Sequence, residues 1–145
     1  VRTRLVAGER QRLDDLLTKS SRTFALTIPL LPEPTRLEVT LAYLLFRVAD
    51  TLEDATRWST PRKLTELDAF AALVESRDPA HAVALASQWG AEPPLDEAGY
   101  LELLGELPFV IRATHTLAPD SWSIIARHTI RTTSGMATFV LSFRF

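Results

Sequence analysis

Cysteine is absent from the 145 residues, which excludes disulfide staples, thiolate zinc sites and thiol nucleophiles. The three histidines, His81, His115 and His128, show none of the spacings by which histidines share a metal. No run approaches the roughly 18 consecutive apolar residues of a membrane-crossing helix, and the N-terminal residues are charged and unlike a secretion signal. A cytoplasmic location is therefore the expectation. Neither sign of charge dominates: 16 Lys plus Arg against 18 Asp plus Glu leave a formal net charge of −2, and the signs interleave along the chain. Nucleic acid is not an expected partner on that balance. Also lacking is any sustained period-two alternation bounded by turn glycines, which argues against sheet.

What the chain does have is 46% hydrophobic residues, enough to build one core, divided by prolines and capping residues into helical pieces. An all-α chain follows. The pattern predicts a first helix over Thr3–Lys19 with Leu5, Leu13, Leu16 and Leu17 as its stripe, broken at Ser20-Ser21. A short apolar segment, Phe24–Leu31, runs into the Pro32-Glu33-Pro34 turn, and a longer helix is predicted over Thr35–Arg57. Thr60 reads as an N-cap with Pro61 at the first helical position, where its missing N–H costs nothing. Asp78-Pro79 repeats that signal, Glu92-Pro93-Pro94 opens a loop before a helix over Asp96–Leu104, and Pro108 and Pro119 delimit one more segment. The last helix is expected from Ala118-Pro119-Asp120 onward.

The Thr35–Arg57 segment carries the chemistry. At about 100° per residue, Tyr43, Arg47, Asp50, Glu53 and Asp54 fall on one arc, opposite Leu37, Leu41, Leu44, Leu45, Val48, Leu52 and Ala55. Val39, Ala42 and Phe46 flank the polar line, so the helix is expected to be buried nearly all round, with its charges facing an internal cavity. Three carboxylates within five residues repel one another and sit at a helix C-terminus, where the macrodipole disfavours each by roughly 0.3–1 kcal/mol. Arg47 is placed to pair with Asp50, and a hard divalent cation suits the remaining oxygens. Magnesium fits, because it accepts one or two carboxylates, keeps water and takes its other ligands from a substrate phosphate. The acidic pattern alone more often describes a solvated helix end, and it is the alignment of Tyr43 and Arg47 with the buried flanks that points to a site.

Ser21-Arg22-Thr23-Phe24 followed by ALTIPLLP, then the continuous run from Ala42 to Ala55, resembles squalene and phytoene synthases. Gly135-Met136-Ala137-x-Phe139 resembles that family's Gly-Met-Ala-x-Phe segment. The resemblance implies the all-α isoprenoid (terpenoid) synthase fold and a magnesium-dependent, head-to-head condensation of two prenyl diphosphates. In the squalene branch, which Asp50-Thr51-Leu52-Glu53-Asp54 favours, farnesyl diphosphate passes through a cyclopropyl diphosphate to squalene, with NADPH as reductant in the complete enzyme. It makes Asp50, Glu53 and Asp54 the metal ligands, and Tyr43, Arg47, Asp50 and Asp54 the catalytic set. The expected substrate contacts are Ser21, Arg22, Thr23, Phe24, Tyr43, Arg47, Gly135 and Met136, with Phe24, Leu26, Ile28 and Phe46 as apolar walls. A lipid product also brings peripheral membrane contact into view. A mid-helix glycine at 135 leads one to expect a close approach there, by a prenyl chain or a neighbouring helix.

Family members continue to a second aspartate-rich motif on a facing helix, and no second cluster follows Asp54 here. Together with Val1 as first residue and the uncapped apolar ending TFVLSFRF, this leads to the expectation of a truncated, single partial domain over residues 1–145. The alternatives left open are a non-catalytic helical fragment, or one half of a split synthase that needs a complementing C-terminal chain. A plain helical interaction module explains the composition but not the Ser21–Asp54 match.

Overall fold

A computed structural model describes residues 3–142, so Val1 and the last three residues of the apolar ending lie outside the described residues. Among the described residues there are eight α-helices and no strand: α1 (Glu9–Ser20), α2 (Arg22–Thr27), α3 (Thr35–Glu53), α4 (Thr60–Ser76), α5 (Pro79–Ala91), α6 (Ala98–Gly105), α7 (Leu107–Thr114) and α8 (Pro119–Ser142), with a 3₁₀ turn at Ile28–Leu30. Helices without strands are what the all-α isoprenoid synthase fold implied by the resemblance requires. Helix α3 runs through the middle, touched by α1, α4, α6, α7 and α8, while α4 lies along α8 over the longest shared face.

Leu41, Leu44, Leu45, Val48 and Leu52 recur at helical spacing and are wholly buried, which makes α3 the spine of the core. Burying each such side chain contributes roughly 1.5–3 kcal/mol relative to exposure. The polar-flank residues behave differently from expectation. Phe46 is 42% exposed, and Val39 and Ala42 are half-buried, so α3 is covered on its leucine side and open on the other. That opening gives Tyr43 and Arg47 a cavity to face, while the three carboxylates expected to face it with them lie beyond its lining.

Helix α6 spans Ala98–Gly105 where Asp96–Leu104 was expected, and three other boundaries depart from the sequence pattern, each for a local reason. Helix α1 starts at Glu9 rather than Thr3, because Gly8 sits at φ +87° in the left-handed region and turns the chain. Glu9 then accepts the Val6 N–H at 2.9 Å and fixes the turn. Helix α3 ends at Glu53, four residues before Arg57, since the backbone there leaves the helix and Arg57 N donates to Pro94 O at 2.9 Å. At α4 the cap is Ser59, whose hydroxyl accepts from Arg62 N at 3.2 Å, and Thr60 and Pro61 are its first two residues. The cap at Asp78 is as the sequence suggests, with its carboxylate accepting from Ala80 N at 3.0 Å.

Candidate functional site

The C-terminal end of α1, the start of α2, one face of α3 and the first turn of α6 enclose an open cavity of about 850 Å³. Ser21 ends one helix and caps the next: it is extended, and its hydroxyl accepts from Phe24 N at 3.2 Å. Arg22, Thr23 and Phe24 follow at the cavity, and Lys19 joins them from the last turn of α1. From α3 come Tyr43, Phe46 and Arg47, spaced so that all three share the open side of the helix. Tyr43 donates its hydroxyl to Ser20 O at 3.2 Å and meets the Phe24 ring at 4.8 Å between centroids. Phe46 follows at 6.4 Å from Tyr43, so the cavity has an aromatic side and a cationic side.

One to two turns beyond Arg47 lie the three carboxylates. Asp50, Glu53 and Asp54 each offer an oxygen, and the three lie within 4.8 Å of one another. Asp50 Oδ2 and Arg47 Nη2 form an ion pair at 2.8 Å, the expected pair, and this contact joins the acidic end of α3 to the cavity. The carboxylates themselves do not line it. Burial pushes the Asp50 carboxyl above its ordinary value, with the Asp54 charge adding and Arg47 opposing. Glu53 is raised too, first by burial and then by Asp50 and Asp54, against a small opposing pull from Lys63. Ionised oxygens crowded at a helix C-terminus are what a hard divalent cation stabilises, so this donor set fits magnesium.

A second cavity of about 200 Å³ lies between α3 and α8, lined by Ala42, Phe46, Ala49, Ile124, Ile125 and residues of the His128–Thr132 turn. Phe46 belongs to both, so the polar cavity and an apolar groove share one wall. Of the four expected apolar walls, Phe24 and Phe46 are at the cavity, whereas Leu26 points away at 77% exposure and Ile28 is in the core. Gly135 and Met136 are not brought to either cavity. Met136 is buried in the main core, and a Cβ on Gly135 would meet nothing within 4 Å, so no neighbouring helix approaches it closely.

Sequence reasoning missed Lys19 and Tyr100. The Tyr100 ring lies 4.0 Å from the Arg47 guanidinium carbon. A signal was present in Gly99, which sits in the first turn of α6 although a helical glycine costs roughly 0.5–1 kcal/mol against alanine. There the close approach is real: a Cβ on Gly99 would lie 2.5 Å from the Lys19 carbonyl oxygen.

The squalene/phytoene synthase family profile matches residues 17–145. Squalene synthase BSS of Botryococcus braunii is 31% identical over 126 residues, covering 87% of this chain and 25% of that protein. The squalene synthase of Eremothecium gossypii is 27% identical over 139 residues, covering 96% of this chain and 29% of its own length. The chain thus spans about a quarter of the length of the curated relatives it matches. No helix among the described residues is long and apolar enough to cross a membrane. With the family match running from the end of α1 through the cavity and all of α8, this chain belongs to the squalene/phytoene synthase family.

Proposed function

We propose that the chain supplies the diphosphate-binding side of a squalene-type prenyl transferase, with a prenyl diphosphate as ligand. The observation that carries this reading is the shared wall at Phe46, which places a cationic cavity beside an apolar groove and so suits an anionic head on a prenyl tail. Arg22 and Arg47 would bind the diphosphate oxygens, a charge-assisted contact stronger than a neutral hydrogen bond. Asp50, Glu53 and Asp54 would hold magnesium, which supplies Lewis-acid stabilisation of the charge growing on the leaving diphosphate. Tyr43 would orient the head from its anchored position on Ser20 O. Phe24 and Phe46 would exclude water from the allylic cation left when the C–O bond breaks and its electron pair departs with the diphosphate. The cation would then add to the double bond of a second prenyl diphosphate, and loss of a proton closes the cyclopropane. No glycine-rich dinucleotide fingerprint occurs in the sequence, so no reductive step by NADPH is derived from this chain.

A second reading rests on the single acidic cluster among the described residues: a half-site that binds ligand and needs a complementing chain to turn it over. Calorimetry with a non-hydrolysable farnesyl diphosphate analogue tests the first. Binding is expected with magnesium and not without it, and lost in the Asp50→Asn, Asp54→Asn double variant; equal binding by that variant would remove the site assignment. Product extraction from farnesyl diphosphate, magnesium and NADPH separates the two readings. Turnover above a boiled control, lost on Asp50→Ala, would show that the half-site suffices.

A further inference from the structure

Three basic side chains reach the polar cavity, and they are held very differently. Lys19 Nζ is tied to Glu102 Oε2 at 2.7 Å, and Arg22 is exposed. Arg47 alone of the three is held on an edge and a face: Nη2 is ion-paired with Asp50 at 2.8 Å, and the Tyr100 ring covers the guanidinium at 4.0 Å. Its Nε is buried without a hydrogen bond among the described residues. A buried donor left unsatisfied is costly unless an arriving acceptor completes it, which makes a rigidly held Arg47 suited to an oxyanion ligand.

Helix α6 packs on α3, where Tyr100 meets Arg47, and it also comes unusually close to the end of α1. The backbone of α6 at Gly99 abuts the Lys19 carbonyl, at a separation no side-chain-bearing residue would permit without displacement. One turn on, Glu102 straps the same face of α6 to Lys19. We propose that Gly99 and Tyr100 are positioning residues for Arg47: Gly99 sets the approach of α6, and Tyr100 fixes the guanidinium plane for a diphosphate oxygen. The proposal rests on reading the cavity as a diphosphate site, but its first test does not.

That test is NMR of Arg47 in the unliganded chain. The Tyr100 ring should shift the Arg47 δ and ε protons upfield and slow exchange of the ε proton. Tyr100→Phe keeps the ring and should preserve both signatures, whereas Tyr100→Leu should abolish them. Gly99→Ala should weaken them while the thermal melt stays cooperative. In calorimetry with magnesium and the farnesyl diphosphate analogue, Tyr100→Leu should bind about tenfold more weakly and Tyr100→Phe within about twofold of the parent. Arg47 signals and binding unchanged in a folded Tyr100→Leu chain would overturn the proposal. If the parent chain itself fails to bind the analogue, the diphosphate reading falls. The NMR arm then still decides whether Tyr100 positions Arg47, since unaltered Arg47 signals overturn that claim and lost signals uphold it.

Discussion

The Ser21–Asp54 region and helix α8 both carry segments that resemble the same family, yet the fold treats them in opposite ways. In the first, side chains from α1, α2, α3 and α6 converge on one cavity. In the second, neighbouring motif residues disperse: Gly135 faces open space, Met136 is buried in the core, and Phe139 is 56% exposed. Polar residues at i, i+4 and i+7 on one helix share a face by helix geometry alone, so a polar motif specifies much of its own site. An apolar motif specifies only that something covers it.

The largest effect that sharpens this contrast is on stability. Met136→Ala should destabilise the chain by roughly 2–5 kcal/mol, because it removes a core side chain, while leaving magnesium-dependent ligand binding at temperatures below the melt unchanged. Denaturant melts together with calorimetry check this. Weakened binding with unchanged stability would move Met136 from the core to the ligand and erase the difference between the two regions.

A smaller effect concerns pH. Asp50 and Glu53 have folded-state values raised above the ordinary carboxylate range. Groups of this kind favour the fold below their unfolded values, and that contribution is lost as pH rises through the folded ones. Glu9, lowered chiefly by its hydrogen bond to Arg112, works in the opposite direction. Comparison with an Asp50→Asn, Glu53→Gln variant cancels Glu9, since both proteins contain it. The parent's melting temperature, relative to the variant's, should fall as pH rises from about 4 upward, and millimolar magnesium should restore it at neutral pH. Parallel curves with no magnesium effect would show a solvated acidic helix end.

The smallest effect is expected at Gly135. With open space around it and a helical setting, Gly135→Ala should stabilise the chain by about 0.5–1 kcal/mol, read as a modest rise in melting temperature. The same change at Gly99 should destabilise, so the two glycines separate by sign.

Helix content was legible because leucines recur at helical spacing and prolines punctuate the chain; Leu41, Leu44 and Leu45 needed no tertiary information. The boundaries at Glu9 and Glu53 were not, since the first depends on a left-handed Gly8 and the second on a bond from Arg57 to the distant Pro94 loop. Tyr43, Arg47 and Asp50 were placed together by spacing, and the Arg47–Asp50 pair is present. Tyr100 lies outside any local pattern, and it meets Arg47 through the packing of α6 on both α1 and α3. Gly135 and Gly99 differ for one reason: a helical glycine signals close approach, but only the neighbour's position says whether a helix makes it, as one does at Gly99 and none does at Gly135.

The central proposal is that Asp50, Glu53 and Asp54 would hold a divalent cation beside the Tyr43–Arg47 cavity. Manganese takes the same hard oxygen ligands as magnesium and broadens nearby NMR signals. Titrated with pyrophosphate present, it should broaden Asp50, Glu53 and Asp54 first, then Arg47 and Tyr43, and leave Gly135 and Met136 sharp. Broadening spread evenly over the surface acids, or absent at Asp50 while strong elsewhere, would contradict the account.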